Sequence, residues 1–549
     1  MRKKWKGLVG IGIVTGCLML FGCNQTPTDV EEQVKVQAKA IEEVKNATSN
    51  VEYLVPKKDG LKVYTKQKQE KVKREIEKKL EEKTYTVEKP LVYYNPFGTN
   101  LRSANVYFTT KQACRVSYTI SVQDKTIKDF TRDLKNEGKS GVTKNHGYQL
   151  IGLIPNKENT IRLKLYNKEG KQIAQSSFMI RVPKVNSNAE QKLKVQEVKK
   201  GTQTDGLFCV MYGRSSGKLP NICLYDNDGV LRAELPVESY RTDRILTVGN
   251  NLYYSVGYSK VVKVNRLGEV KQIYDLTNYT MHHDFVYEKS KNALLILASE
   301  KNQKTVEDIV LKLDLQSGKV TELVDLKEIL PKEYKKAKKP EKKTVLDWAH
   351  VNTIQSVNGT DIILSFRELS SIVKIQNVYT KPKLQYILCD QDIWNDSAYK
   401  NYVYKKVGKF TSQAGQHTVT YIPGKTESEY RLSMFNNNLT YSGTRKDIDW
   451  SGYTLSQVPV EERNSYYYEY KVNEKEKTFE LVKSFAVPYS GYVSSTEQVG
   501  NNYIVCSGSP KVFGEYDNEG NLLKEYKISG DRHLYRVFKY TFEGSWFAK

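Results

Sequence analysis

Histidine is scarce: six residues among 549, at positions 146, 282, 283, 350, 417 and 533. Cysteine is nearly as rare, and the seven present form no CxxC pair and no metal-finger spacing, which excludes zinc-finger and thioredoxin-like centres. No RNP-like, zinc-finger or helix-turn-helix pattern occurs either, so the net charge of +23 has no nucleic-acid motif to serve. A solvated basic surface near anionic lipid heads or wall polymers is the plainer account of that charge. The one apolar segment near the N-terminus, "LVGIGIVTGCLMLFG" at 8–22, is short for a membrane span.

What stands around that segment sets the compartment. "MRKKWKG" is a cationic leader and "LFGC" ends the apolar stretch. Leu20, Phe21, Gly22 and Cys23 resemble a bacterial lipobox, which makes residues 1–23 a lipoprotein signal with Cys23 as the lipidated residue. The expected location is the outer face of the bacterial cell membrane, held by lipid. An uncleaved anchor would leave the same domains outside the cell. Cys209 and Cys223 flank a hairpin and are placed either for a disulfide or as two buried thiols.

Length predicts two or three folded units, and an aromatic fraction of 11 % with 39 tyrosines argues for folded rather than disordered chain. Residues 24–87 are Lys/Glu-rich, and "TKQKQEKVKREIEKKLEEK" predicts an exposed helix laced with i,i+4 pairs, a charged spacer. From Pro90 the pattern turns to short alternating runs such as "ANVYFTT" and "TIRLKLYN", so 88–186 reads as an N-terminal β-sandwich. Residues 200–549 carry six recurring hairpins, at 223–235, 262–276, 311–326, 373–388, 470–485 and 514–528. Their spacing is that of propeller blades, each hairpin being the outer strand pair of one blade. The fold class is therefore all-β: a sandwich followed by a six-bladed propeller, with seven blades the competing count.

Three of the six histidine sites fall in one register. His282 or His283, His350 and His417 each precede the first apolar strand of a blade, the strand that lines the central channel. An ungapped alignment pairs His282 with His350, Asp284 with Asn352 and Ser299 with Arg367. Arg367, beside His350 at the channel mouth, offers a planar fork of donors suited to an anion. His146 and His533 lack such partners and read as structural. Three chemistries fit the set. Three imidazoles can hold zinc, although no Glu stands nearby as a base and Arg367 would repel the ion. A polar ligand pocket is the second. The third is nucleophilic transfer of an anionic group, one neutral imidazole attacking while the other donors hold the oxygens.

"YNPFGTNLRSANVYFTTKQACRVSYTI" and "HGYQLIGLIPNKENTIRLKLYNKEG", followed by "MHHDF", "DWAHVNTI…ILSFR" and "GQHTVTYI…LSMFNNN" in that order, resemble the bacterial aryl-sulfate sulfotransferases that use no nucleotide sulfate donor. The likeness runs over about 90–549. It implies a ping-pong enzyme in which His417 attacks the sulfur of an aryl sulfate, becomes a sulfohistidine as phenol leaves, and passes the sulfuryl group to a phenolic acceptor. His350 and Arg367 match residues that hold the sulfuryl oxygens, and His282, His283 and Asn352 are the substrate-binding candidates. The scheme needs no metal and no cofactor. A non-catalytic relative that binds sulfated or phenolic ligands at the cell surface is the alternative, and a homodimer stays open.

Overall fold

The computed structural model describes residues 51–548 apart from 58, 137–140, 213–220, 240–242, 395–396, 452, 454–457, 460–461 and 530–532. The signal segment, Cys23 and the spacer up to residue 50 lie outside the described residues. Among those described, no helix is long and apolar enough to cross a membrane.

The Lys/Glu-rich stretch does form a helix, Lys66–Glu82, with the i,i+4 pairs Lys66–Glu70 at 3.6 Å and Lys73–Glu77 at 3.7 Å. It does not stand free. Val72 and Ile76, four residues apart on one face, are buried against Tyr85, Leu91 and Phe97. Gln69 donates to the Phe97 carbonyl and accepts from the backbone N–H of Val270, so the helix is bolted to both domains. Two apolar residues among many lysines are too weak a stripe to signal this docking from composition.

The sandwich is organised on one long strand, Ser103–Ser121. Its first half pairs with Leu91–Tyr94 and Thr143–Ile151, and its second half with Phe130–Asp133 and Glu158–Tyr166. Arg102 and Glu234 form a fully buried ion pair at 3.0 Å between sandwich and propeller. One hydrophobic core runs across both domains, from Val106 and Ile161 to Leu224 and Phe538.

The propeller has six blades, and all six hairpins read from the sequence are the third and fourth strands counted from the channel; in blades 5 and 6 a further edge strand, Lys405–Val407 and Lys194–Glu197, lies outside them. Blade 1 takes its innermost strand, Leu534–Tyr540, from the C-terminal end of the chain and pairs it with Leu207–Tyr212. Blade 2 starts at Ile245–Val248, blade 3 at Tyr279–Glu288, blade 4 at Val351–Val357, blade 5 at His417–Thr426 and blade 6 at Ser495–Val499. Second strands such as Ala293–Glu300 and Asp361–Phe366 are sandwiched between neighbouring blades, which is why they read as unbroken apolar runs rather than alternating ones. Cys209 and Cys223 are both buried and not joined in a disulfide. Cys209 lies opposite Leu224 and Cys223 opposite Val210, so the two thiols point to opposite faces of the sheet and cannot meet.

Because one strand closes the ring, removing it opens six blades at once and exposes the edge of Leu207–Tyr212. A chain ended at residue 533 is expected to lose cooperative thermal unfolding in calorimetry. A sharp transition at the wild-type Tm would contradict this closure.

Candidate active site

The inner strands of blades 3, 4 and 5 each break register at the channel end, between Met281 and Phe285, Val351 and Thr353, and His417 and Thr420. In blades 3 and 5 a non-glycine residue within the break enters the left-handed region, His283 at φ 57° and Thr418 at 54°, and in blade 4 the residue just ahead of it does, His350 at 47°. Such conformations cost energy and mark places where the chain is bent to aim a side chain. His283 therefore shares a turned backbone with His350, whereas His417 precedes the turned residue of its blade.

These bends bring the histidines together. The rings of His283 and His350 lie 4.8 Å apart and those of His282 and His283 5.1 Å apart. Glu307, on the connection between the second and third strands of blade 3, joins them. It accepts from Nε2 of His283 at 2.8 Å, and the same oxygen lies 3.2 Å from Nδ1 of His350 as an ion-pair contact. Nδ1 of His283 meets the Tyr535 hydroxyl at 2.7 Å. His350 Nδ1 is also 2.5 Å from Asp347, three residues ahead. Burial alone would lower the pKa of His350, but the carboxylates of Asp347 and Glu307 outweigh it and raise the value above that of an ordinary imidazole. Both nitrogens of His282 are also buried, and a ring nitrogen lies within 4.8 Å of ligand atoms of His283 and Glu307.

His417 has the opposite surroundings. It is 2 % exposed and has no carboxylate on its ring. Asn437 spends its Nδ2 on the carbonyls of Ser490 and Val493, at 2.7 and 2.9 Å, so its Oδ1 faces His417 Nδ1 at 2.7 Å. The Gly415 carbonyl is a second acceptor at 3.1 Å. Two acceptors put the proton on Nδ1 and leave Nε2 with its lone pair. Burial, with Arg367, His350 and Arg536 nearby, holds the pKa of His417 well below the ordinary value against the opposing hydrogen bond it donates to Asn437. Gly415 itself sits at φ 64°, with Leu439 packed close to where a Cβ would stand.

Arg367 follows the second strand of blade 4 and donates from Nη1 to Glu368 Oε1 at 2.8 Å. Glu368 is fixed in turn: its Oε2 accepts from Ser442 Oγ, Gly443 N, and Thr444 N and Oγ1. The guanidinium is close enough to both His350 and His417 to lower their pKa values.

Asn352 does a different job from the one its position suggested. It is fully buried, and its Nδ2 donates to the Gln416 carbonyl at 2.7 Å while its Oδ1 accepts from Thr353. Its amide anchors the residue before His417. Asp284, its alignment partner, is likewise structural: wholly buried, it is gripped by Arg244 and Arg536, each at 2.9 Å. Ser299, aligned with Arg367, accepts from the Glu307 backbone N–H and so fixes the shared carboxylate. Hollows of about 420 and 470 Å³ lie elsewhere, around Lys383 and Tyr402 and around Lys125 and Lys192, and gather no comparable chemistry.

A family model described as arylsulfotransferase matches residues 192–539, and a second, the arylsulfotransferase Ig-like domain, matches 91–183. The chain belongs to the arylsulfotransferase family. The two matched segments are the propeller and the sandwich described above, and the family implies aryl sulfates and phenols as substrates. No curated protein matches. Among solved structures the chain is similar to a protein from Bacteroides uniformis assigned as a 6-phosphogluconolactonase, at 11 % identity over 78 % of this chain and 99 % of that one, TM-score 0.35. It is also similar to the WD40 domain of a Toxoplasma gondii coronin, at 9 % identity over 63 % and 78 %, TM-score 0.30. Likenesses of that size carry no argument. The structure brings together His282, His283, His350, Arg367 and His417, which the sequence singled out, and adds Glu307, Glu368 and Asn437, which it did not.

If Asn352 is an anchor, Asn352→Ala leaves the buried Gln416 carbonyl without its donor. The expected cost is about 1–3 kcal/mol of stability by urea unfolding. Wild-type stability in that variant would return Asn352 to the role of ligand contact.

Proposed function

We propose that this arylsulfotransferase moves a sulfuryl group from an aryl sulfate to a phenol by a ping-pong route through His417, without a nucleotide donor. The observation that carries this reading is the tautomer of His417: Nδ1–H is held by Asn437 and Gly415, and Nε2 is a neutral, buried nucleophile. Attack of Nε2 on sulfur forms the N–S bond as the S–O bond to the phenol breaks. Charge that develops on the imidazole is stabilised through Nδ1–H by the two waiting oxygens. Arg367 supplies a cationic fork for the sulfuryl oxygens, and His350 adds its positive charge beside it, as charge on those oxygens rises in the transition state more than in the ground state. The acceptor phenol then takes the group from His417 and restores its lone pair. The leader and Cys23 support an exported, lipid-anchored enzyme, with donor and acceptor met outside the cell.

One observation favours a second reading. His282, His283 and Glu307, and likewise Glu307, Asp347 and His350, have ligand atoms within 4.8 Å of one another, so the carboxylate missing from the sequence argument against a metal is present. The transfer reading is preferred because His283 and His350 already spend ring nitrogens on those carboxylates and Arg367 stands beside them.

His417→Asn is expected to abolish transfer from 4-nitrophenyl sulfate to phenol while circular dichroism stays native. Wild-type protein given donor alone is expected to carry one sulfuryl group on His417 by peptide mass spectrometry, with activity surviving exhaustive chelation. Normal turnover by His417→Asn contradicts the reading, and loss of activity on chelation favours the metal.

A further inference from the structure

The sulfuryl transfer leaves a proton unaccounted for. A phenolate departs in the first half-reaction, and a phenol must lose its proton in the second. Nothing on His417 can supply or take it, because its one proton is committed to Asn437 and Gly415. We propose that Glu307 and Asp347 are positioning residues that hold His350 as the acid–base partner of the transfer, its Nε2 giving a proton to the departing phenolic oxygen and later removing one from the acceptor.

The geometry assigns the pair this work. Both carboxylates converge on the same ring nitrogen, Nδ1 of His350, Asp347 at 2.5 Å and Glu307 at 3.2 Å. That fixes the Nδ1 proton and leaves Nε2 as the exchanging nitrogen. Glu307 reaches His283 with the same Oε2, so one carboxylate orients two imidazoles from adjacent blades. Its backbone is in the left-handed region, φ 61°, and its N–H is tied to Ser299, a strained and anchored placement for a residue on a connecting segment. The groups facing His350 are then Asp347, Glu307, His283 and Arg367, with His417 across the site. Two anions answer Arg367, so His350 can be charged without being expelled.

The atoms balance. In the first half-reaction the His417 Nε2–S bond forms, the S–O(aryl) bond breaks, and the aryl oxygen takes the proton from His350 Nε2. In the second, the acceptor hydroxyl gives its proton to His350 Nε2, its oxygen bonds sulfur, and the N–S electron pair returns to His417. Each cycle leaves His350 as it began. This inference rests on the transfer reading and adds the residues that carry its proton.

The test is a leaving-group series. Wild-type enzyme, Glu307→Gln and Asp347→Asn are given ring-substituted phenyl sulfates with one acceptor, and the rate of phenol release is followed. A poor leaving group needs the proton, whereas 4-nitrophenolate carries its charge on the nitro-substituted ring. The expected loss in both variants is graded, about 100-fold or more with phenyl sulfate and about tenfold or less with 4-nitrophenyl sulfate, the range general acid catalysis supplies. Equal losses with both donors, or none, would overturn the proposal by reducing the carboxylates to structural or idle groups. Should either variant fail to fold, the wild-type series decides alone: a shallow dependence on the acidity of the leaving phenol supports the acid, and a steep one overturns it. A wild-type chain that forms no sulfuryl adduct overturns the transfer reading and this inference together. An adduct with a steep series overturns this inference only.

Discussion

Two imidazoles on neighbouring blades are pushed in opposite directions: burial lowers the pKa of His417, and carboxylates at Nδ1 overcome burial and raise that of His350. An amide oxygen and a carbonyl face His417, and two carboxylates face His350. The first pair sets a tautomer without inviting a second proton, and the second pair invites it. When environments push two like groups apart in this way, the acid and the nucleophile of a site are told apart by their neighbours rather than by their own chemistry. Arg367 adds a cation to both and is itself fixed by Glu368, so the anion-binding fork stays in place when the site is empty.

That arrangement needs a closed ring. Tyr535 and Arg536 lie on the closing strand of blade 1, yet they contact His283 and Asp284 on blade 3. Arg536 also donates to the Asn352 carbonyl of blade 4, and Asn352 holds the Gln416 carbonyl of blade 5. A chain of polar contacts thus runs from blade 1 to the nucleophile. Each member is buried, where a hydrogen bond left unmade costs most. The same contacts close the propeller and aim its histidines, which explains why the innermost strands carry so many buried polar side chains.

Periodicity made most of this architecture readable in advance. Hairpin turns announced the outer strands of every blade, and the register of His350 and His417 against the following apolar runs placed them at one end of the channel. Other features leave no trace in a linear pattern. Glu307 sits on a connection with no periodicity, and its role exists only because a left-handed bend turns it toward another blade. Asn437 is one of three consecutive asparagines, and only the fold decides which faces His417. The bend that turns His283 sits in a bulge between Met281 and Phe285, which changes the count on one strand without changing the apolar pattern. The helix at Lys66–Glu82 looked solvated because two buried apolar residues cannot be heard among its charges.

The central claim concerns charge on individual rings, and with only six histidines in the chain it can be read directly. Nitrogen-15 NMR of histidine-labelled protein, titrated from about pH 8 down to the acid limit of the folded state, reports the protonation of each ring, with ordinary imidazoles changing at about 6.5. The account predicts that His350 still carries two protons above that midpoint and loses one as pH rises further, while His417 keeps a single proton on Nδ1 well below it. Two histidines titrating together near the ordinary value, or His417 protonating first, would contradict it.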